Sequence, residues 1–279
     1  MNLRSLLARI VGDAKNTSGG TGPAVKVSSE PVEALPAEER PNLDENQLLI
    51  DAFDEAGTKG VMIDVGVHFG STTTPFLDRG WQVIGFEPDK KKHGALKKLA
   101  EEQPRFELHT CAVGDAASEG MQFYTSQEST GIASLVPFRH THEKGEVVPV
   151  RTLRDVLAES GTTEVDYLKI DAEGFDLRVL EGFPFDSISP TAIMCEFEDG
   201  KTQQIGYSTD DLGGYLLDKG YSVYMSEWHP IVRYGITHRW RSIRSYPCEL
   251  SDPKGWGNFI AVKPGPFEEY FRRAMRPWA

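Results

Sequence analysis

The fold of this chain is decided by the stretch KGVMIDVGVHFGSTTTPFLDRGWQVIGFEP, which spans residues 59–88. An apolar run ends in an acidic residue and glycines, a short helical pattern follows, and a second apolar run ends at Glu87. This order predicts a strand, a tight turn, a helix and a second strand, the first unit of a parallel nucleotide-binding sheet. The hydrophobic share of 39% in 279 residues is enough for one large α/β domain.

The turn in this unit predicts a ligand that carries a nucleoside. Gly66 and Gly70 lie where the strand must turn into the helix, and their missing Cβ atoms would let backbone amides approach a ligand. Glu87 follows at the separation expected of an acid that accepts from ribose hydroxyls. The spacing D-x-G-x-x-x-G, which starts at Asp64 and contains His68, differs from the G-x-G-x-x-G loop that cradles a pyrophosphate. The alternative is that Gly66 and Gly70 are ordinary turn glycines.

Two regions are predicted: residues 1–41 as an appendage and residues 42–279 as the main domain. Apolar residues recur at helical spacing within residues 1–12, which predicts a short amphipathic helix. It would pack on its own domain, or make a peripheral contact with a membrane surface or a partner. Residues 13–41 are rich in Gly, Ser, Pro and Glu without periodicity, which is typical of a flexible linker.

Beyond Glu87 the chain alternates between strand and helix patterns, as a parallel sheet requires. The segment DKKKHGALKKLAEEQ predicts a helix whose lysine run is a solvated face, whereas residues 116–146 are expected to be irregular. Thr152, with Asp155 three residues later, indicates a helix start. The other predicted elements are helices at 44–57, with Gly57 as its C-cap, and 209–219, and strands at 106–112, 165–171, 192–197, 221–224 and 258–262.

Composition narrows the class of protein. The chain has 30 basic and 42 acidic residues and a net charge of −12, which argues against general affinity for nucleic acid phosphates. Cys111, Cys195 and Cys248 are widely spaced without metal-type pairing, as expected of reduced thiols. No apolar stretch has the length of a membrane span, and no cleavable signal pattern is evident. A soluble cytoplasmic protein is therefore expected.

A longer pattern points to a family. The segment VDYLKIDAEGFDLRVLEGF, residues 165–183, is similar to the L-K-I-D-x-E-G-x-[DE]-x-x-V-L-x-G signature of the FkbM family of methyltransferases. The flanking pieces CAVGD, VRTLRDVL, IMCEFED and WGNFIAVKP agree, so that the match covers residues 59–263. The resemblance implies a Rossmann-like class I methyltransferase fold: a seven-stranded, mostly parallel sheet with an antiparallel last strand and helices on both faces. It also implies S-adenosylmethionine at the carboxyl ends of the first strands.

The resemblance further implies which residues hold the cofactor. The glycine loop matches the methionine side, Glu87 matches the ribose acceptor, and the end of the third strand matches the adenine pocket. His68 stands where a small or amide residue is expected, so contact with cofactor, contact with substrate and an ordinary hydrogen bond all remain open. The implied cofactor residues are Asp64, Gly66, His68, Gly70, Glu87, Ala112 and Asp115.

The carboxylates after the fourth and fifth strands have several interpretations. Lys169 lies inside the fourth strand, and a buried lysine needs an acidic partner, for which Asp171 and Glu196 are candidates. Asp171 and Glu196 are also candidate catalytic groups. Together with Glu173 and Glu198 they make a candidate Mg²⁺ site, because this ion takes oxygen ligands. Helix caps and ion pairs are the structural alternative.

The segment 225–257 is where the acceptor is expected to bind. Its aromatic residues suit the apolar faces of sugar rings, and its guanidinium groups suit phosphate or carboxylate. His229, in this segment, is predicted to take the proton of the acceptor hydroxyl. The alternative is a hairpin insertion whose aromatics cover the core or a dimer interface. The residues concerned are Trp228, Trp240, Trp256, Arg233, Arg239, Arg241 and Arg244.

These observations predict an S-adenosylmethionine-dependent O-methyltransferase that acts on a sugar hydroxyl of a glycan, glycolipid or nucleotide-linked intermediate, with Mg²⁺ as a second, optional cofactor. One alternative keeps the reaction and moves the acceptor to a polyketide or other natural product. The other is a nucleoside-binding regulatory module without catalysis. The expected partner is a small-molecule or glycan acceptor and not nucleic acid, and the oligomeric state stays open.

Overall fold

The computed structural model describes residues 41–233 and 236–278. The amphipathic helix and nearly all of the linker predicted for residues 1–41 therefore lie outside the described residues. The division of the chain into an appendage and a main domain stays a prediction.

The described residues form two β-sheets and helices that cover the larger one. The strands are β1 Val61–Val65, β2 Gln82–Phe86, β3 Phe106–His109, β4 Ala112–Val113, β5 Ser118–Ser126, β6 His142–Arg151, β7 Tyr167–Ile170, β8 Ala192–Phe197, β9 Ser222–Trp228, β10 Trp240–Ser245 and β11 Trp256–Val262. The helices are α1 Glu45–Ala56, α2 Thr73–Asp78, α3 Lys90–Glu102, α4 Leu153–Ser160, α5 Asp176–Glu181, α6 Asp199–Thr202, α7 Thr209–Asp218 and α8 Pro266–Met275. Short 3₁₀ turns lie at Thr130–Ile132 and Gln203–Ile205.

The large sheet has the strand order β10-β9-β11-β8-β7-β1-β2-β3. Strands β1, β2, β3, β7 and β8 pair in parallel, while β11 is antiparallel to both β8 and β9. The Rossmann-like α/β architecture is confirmed, but the sheet described here has eight strands rather than the predicted seven. The extra strand, β10, lies in the segment 225–257, and a bulge between Trp240 and Ser242 interrupts the alternation that would have revealed it.

A second sheet, of order β4-β6-β5, corrects the prediction for residues 116–146. This segment contains all of β5 and the first part of β6, which pair antiparallel with register shifts. Much of the hairpin is exposed, so the alternation of apolar and polar residues that reveals a strand is absent. The predicted third strand also ends early: β3 stops at His109, and Ala112 pairs with Val150 in the second sheet.

Local signals account for several helix boundaries. Asp44 caps α1, its Oδ1 accepting from the backbone N–H of Gln47 at 3.0 Å, and Gly57 ends that helix with φ of 69°. Thr152 caps α4 by accepting from the N–H of Asp155 at 3.0 Å. These signals confirm the predicted boundaries. Helix α8 has no counterpart among the sequence predictions, although its Phe271 is fully buried.

The arrangement of the sheet decides where a ligand can bind. Strands β7 and β8 are buried along their whole length because helices cover both faces of the sheet. The strand order reverses between β1 and β7, and a crevice opens at the carboxyl ends of strands at such a point.

Among the helices in the described part of the chain, none is both long enough and apolar enough to cross a bilayer.

Candidate active site

A cavity of about 330 Å³ lies at the carboxyl ends of β1, β2, β7 and β8. The loops that follow these strands form its floor, and strand β4 contributes one wall. The segment 129–135 and the side chains of Ile231, His238 and Trp256 complete the lining. The cavity is therefore at the place where an open α/β sheet binds its ligand.

The two glycines of the first loop serve the packing of the protein itself. Gly66 has φ of 81°, and a Cβ atom built there would lie 2.0 Å from the carbonyl oxygen of Asp171. Gly70 has φ of 84°, and a Cβ atom there would meet Leu99 at 3.0 Å. Gly66 lines the cavity, whereas Gly70 faces helix α3. The spacing of the two glycines predicted a ligand. However, the close approach of Gly66 to Asp171 and of Gly70 to helix α3 also requires glycine at both positions.

Glu87 is buried at the end of β2 and lines the cavity. Its Oε2 accepts from the backbone N–H of His68 at 2.8 Å, and its Oε1 accepts from the N–H of Asp89 at 2.9 Å. Burial raises the pKa of this carboxyl, while Lys92 opposes the shift. Each oxygen still has a lone pair free after its amide bond, so the group can accept from a hydroxyl in the cavity.

Lys92 corrects the prediction that the lysine run of α3 is solvated. Lys90 and Lys91 are exposed, but the Lys92 side chain is 5% exposed, and its Nζ lies 3.6 Å from Glu87 and 3.5 Å from Asp89. Helical spacing contained the signal, because Lys92 lies one turn before the buried Leu96 on the same face.

His68 adopts a left-handed conformation, with φ of 57°, and lines the cavity. Its Nε2 lies 3.2 Å from Oγ1 of Thr130, in the segment 129–135. Burial lowers the pKa of His68, and the nearby Lys92 lowers it further. The imidazole is therefore a neutral hydrogen-bonding group that links the first loop to the opposite wall.

The remaining predicted cofactor residues separate into two groups. Ala112 lines the cavity together with Phe86, Cys111 and Val113, which form an apolar wall. Asp115 is exposed and is not among the residues that line the cavity.

Asp64 lies behind the cavity rather than in it. It is fully buried, accepts from the hydroxyl of Thr73 at 2.6 Å, and lies 3.1 Å from Nζ of Lys169. The nearest acidic partner of Lys169 is thus Asp64, which was not a candidate. The candidate Asp171 lies farther away, at 3.6 Å, and the candidate Glu196 pairs with Lys201 instead. Burial alone would lower the pKa of Lys169, but the carboxylates of Asp64 and Asp171 raise it above the ordinary value. The ammonium also donates to the carbonyl of Gly66 at 2.9 Å and so fixes the first loop.

Lys201, which the sequence analysis did not single out, organises the acids at the other end of the cavity. Its Nζ lies 2.6 Å from Glu173, 2.8 Å from Glu196 and 3.1 Å from Glu198, and its side chain is 2% exposed. We call these four residues the Lys201 cluster. Oxygens of Glu173, Glu196 and the neighbouring Asp171 lie within 4.8 Å of one another, the arrangement considered above for Mg²⁺. Here an ammonium lies between the glutamates.

Burial changes the acidity of this region. It raises the pKa of Glu173 to about 7, against the attraction of Lys201, and the carboxylate of Asp171 adds to the increase. Burial also raises the pKa of Glu196 above its ordinary value. Asp176, which accepts from the backbone N–H of Glu196 at 3.0 Å, has a pKa raised to about 7 for the same reason. Acids with such values exchange protons near neutrality.

His229 does not line the cavity. Its Nδ1 lies 3.0 Å from a guanidinium nitrogen of Arg241, and its carbonyl accepts from the indole of Trp256 at 3.0 Å. Burial lowers the pKa of His229, and Arg241 and Arg239 lower it further. Among the described residues of the segment 225–257, Ile231, His238 and Trp256 line the cavity.

Two of the arginines expected to bind an anionic acceptor instead neutralise a buried acid. Glu227 is fully buried, forms a short ion pair with Arg244 and lies 3.4 Å from Arg241. It also accepts from the hydroxyl of Ser251 at 2.8 Å. The positive charge of this segment is thus partly internal.

Known proteins are similar to this chain at two levels, solved structures and a protein family. No curated protein matches the sequence at a significant level. Similar solved structures include a precorrin-6y C5,15-methyltransferase from Geobacter metallireducens, with 10% identity over 81% of this chain and 96% of that chain and a TM-score of 0.39. Another is a 1,6-didemethyltoxoflavin-N1-methyltransferase from Burkholderia thailandensis, whose structure contains bound 1,6-didemethyltoxoflavin and S-adenosylhomocysteine. It has 11% identity over 78% of this chain and 77% of that chain, and a TM-score of 0.38.

The family comparison is more direct than these structural similarities. The model of the methyltransferase FkbM domain matches residues 64–223, which is more than half of the chain. The match begins at the end of β1, includes the loops that form the cavity floor, and ends in β9. The chain therefore belongs to the FkbM methyltransferases, whose methyl donor is S-adenosylmethionine.

Proposed function

We propose that this methyltransferase transfers a methyl group to a sugar hydroxyl, in a glycan, a glycolipid or a nucleotide-linked intermediate. The observation that carries the proposal is the set of carboxylates at one end of the cavity. Asp171, Glu173 and Glu196 line it there, and the indole of Trp256 lies at the same cavity. Carboxylates accept hydrogen bonds from hydroxyls, and an aromatic face suits the apolar face of a sugar ring.

The other end of the cavity fits the cofactor. S-adenosylmethionine, when bound, supplies a methyl group on a positively charged sulfur. Glu87 would accept from the ribose hydroxyls, and the apolar wall at Ala112 would contact the adenine. Gly66 and His68 would lie along the methionine portion. Asp64 would act indirectly, through its ion pair with Lys169.

A polar acceptor also suits the end of the cavity lined by carboxylates better than an apolar polyketide does. An apolar acceptor would remove water from Asp171 and Glu173 without returning hydrogen bonds, which costs free energy. A polyol replaces that water with its own hydroxyls. The chemistry itself requires that the acceptor oxygen be positioned for in-line attack and lose its proton.

The experiment is an acceptor screen with the full chain. The enzyme is incubated with S-adenosylmethionine and a panel of methyl glycosides, nucleotide sugars, phenols and amines, and products are identified by mass spectrometry. We expect O-methylated sugars. For each active sugar, a matched deoxy analogue that lacks the methylated hydroxyl should give no product, while removal of a distant hydroxyl should mainly raise KM. Methylation of amines or phenols alone would contradict the proposal.

A further inference from the structure

We propose that Glu173 accepts the proton of the acceptor hydroxyl, and that the ammonium of Lys201 holds Glu173 in position. The inference rests on the proposed O-methyltransferase function. It assigns a catalytic role to Glu173 and a positioning role to Lys201.

The loop after β7 places Glu173 at the cavity. Glu173 has φ of 51°, and the following Gly174 has φ of 92°, so two consecutive residues adopt left-handed conformations. The carbonyl of Glu173 accepts from the hydroxyl of Ser134 at 2.8 Å, and that of Gly174 accepts from the hydroxyl of Tyr207 at 2.9 Å. A non-glycine residue keeps such a backbone only where its surroundings enforce it, which is common at functional sites.

Lys201 is fixed as firmly as the acid. A Cβ atom built on Gly174 would lie 3.0 Å from Cβ of Lys201, so the lysine stem packs directly against the loop. Its Nζ lies 5.2 Å from the centre of the Phe138 ring. A positive charge at this position attracts the negative charge of the carboxylates without needing exchangeable ligands. It therefore orients Glu173 as a metal ion would orient its ligands.

Access distinguishes Glu173 from the other two glutamates of the Lys201 cluster. Lys201 donates to Oε2 of Glu173, which leaves the lone pairs of Oε1 for an acceptor hydroxyl. The Glu173 side chain is 14% exposed, so a proton can leave it to water, whereas the Glu196 side chain is 9% exposed and lies inside β8. Glu198 does not line the cavity.

The step balances in atoms and charge. The acceptor oxygen forms a bond to the methyl carbon while the carbon–sulfur bond breaks, and the electron pair of that bond stays on sulfur. The hydroxyl proton passes to the Glu173 carboxylate and then to solvent. The products are a methyl ether, S-adenosylhomocysteine and one proton.

The titration of Glu173 gives a readout that a purely structural role would not. The raised pKa, about 7, means that the carboxyl of the free enzyme is protonated and inactive at lower pH, so kcat/KM should rise with pH through about 7 and then level off. The charged groups that contribute to this value are Lys201, Asp171 and Glu198, and Glu196 shares the ammonium of Lys201 with Glu173.

The main test compares two glutamate variants with an acceptor from the screen. Glu173→Gln keeps the shape and the hydrogen bond to Lys201, and should lower kcat by about 10²- to 10⁴-fold and remove the rise with pH. Affinity for S-adenosylmethionine, measured by calorimetry, should stay within about twofold. Glu181→Gln is the matched control, because Glu181 pairs with Arg178 at 2.7 Å and does not line the cavity. Chelators should leave the wild-type enzyme active.

Two outcomes would overturn the inference: a Glu173→Gln enzyme with wild-type turnover, or an enzyme inactivated by chelator and restored by Mg²⁺. If the Gln variant does not fold, Glu173→Asp keeps a carboxylate and should retain a reduced kcat/KM that depends on pH. A kcat/KM independent of pH in that variant would also contradict the role. Failure of the function proposal is seen separately, as methylation of another atom type.

A spectroscopic test needs no acceptor. Difference infrared spectra of the full chain, wild type minus Glu173→Gln, should contain a carboxyl band that titrates near the pKa of about 7. A difference spectrum in which no carboxyl band titrates with pH would contradict the proton-accepting role of Glu173.

Discussion

The two ends of the cavity each combine a buried lysine with carboxylates, but different groups orient the acids. Glu87 accepts from two backbone amides, at 2.8 and 2.9 Å, and Nζ of Lys92 lies farther away, at 3.6 Å. In the Lys201 cluster, the lysine itself lies 2.6–3.1 Å from its three carboxylates. The first acid should keep its orientation without its lysine, whereas the second set should not.

The number of acids close to each lysine also differs between the two ends of the cavity. Lys92 is close to two acids, Glu87 and Asp89, and the amides supply further positive partial charge. Lys201 lies close to three acids, Glu173, Glu196 and Glu198, and Asp171 lies beside them. A backbone-held acid suits a permanent hydrogen-bond acceptor such as a ribose contact. A lysine-held acid with a raised pKa suits proton transfer.

The largest expected effect comes from removing each lysine in turn. Lys201→Met leaves three buried or half-buried glutamates without their counterion and should reduce the free energy of unfolding by roughly 3–5 kcal/mol. Lys92→Met should cost only about 1–2 kcal/mol, because the amide bonds to Glu87 remain. Urea unfolding of both variants at about pH 8 measures the difference.

The pH dependence of this comparison has a definite sign. Without Lys201 the glutamates bind protons more tightly in the folded state than in the unfolded state. Stability of Lys201→Met should therefore rise as pH falls from about 8 to 5, and the gap to wild type should narrow. Equal losses for the two lysine variants, or a gap independent of pH, would show that both ends are held in the same way.

A smaller effect is expected at the cofactor end. Glu87→Ala removes a charged acceptor worth roughly 1.5–3 kcal/mol, so affinity for S-adenosylmethionine should fall by about tenfold to a hundredfold. Isothermal titration calorimetry measures the change. The control is Glu101→Ala, an exposed glutamate on α3 that does not line the cavity. If Glu87→Ala bound the cofactor as tightly as the control does, the ribose assignment would fail.

The smallest effect is expected for His229→Ala. His229 lies outside the cavity lining and its Nδ1 faces Arg241, so kcat should stay within about twofold of wild type. Steady-state kinetics with an acceptor from the screen measures it. A loss of about a hundredfold or more, the size of general-base catalysis, would move the proton transfer to the histidine.

Local sequence signals were enough for much of the fold. The strand, turn, helix and strand of residues 59–88 are present as β1, α2 and β2, and Asp44, Gly57 and Thr152 mark helix ends as predicted. The signature at residues 165–183 identified the family that the domain comparison confirms. Capping and periodicity act within a few residues, so a single sequence contains them.

The long-range partners of the buried lysines were decided only by the tertiary structure. Lys201 meets Glu173 across 28 residues of sequence, and Lys169 meets the carbonyl of Gly66 across 103. Both contacts depend on strand order: β7 lies between β1 and β8, which brings their carboxyl ends to one cavity. No local pattern encodes these two contacts, because they form when the sheet assembles and water leaves the groups that it buries.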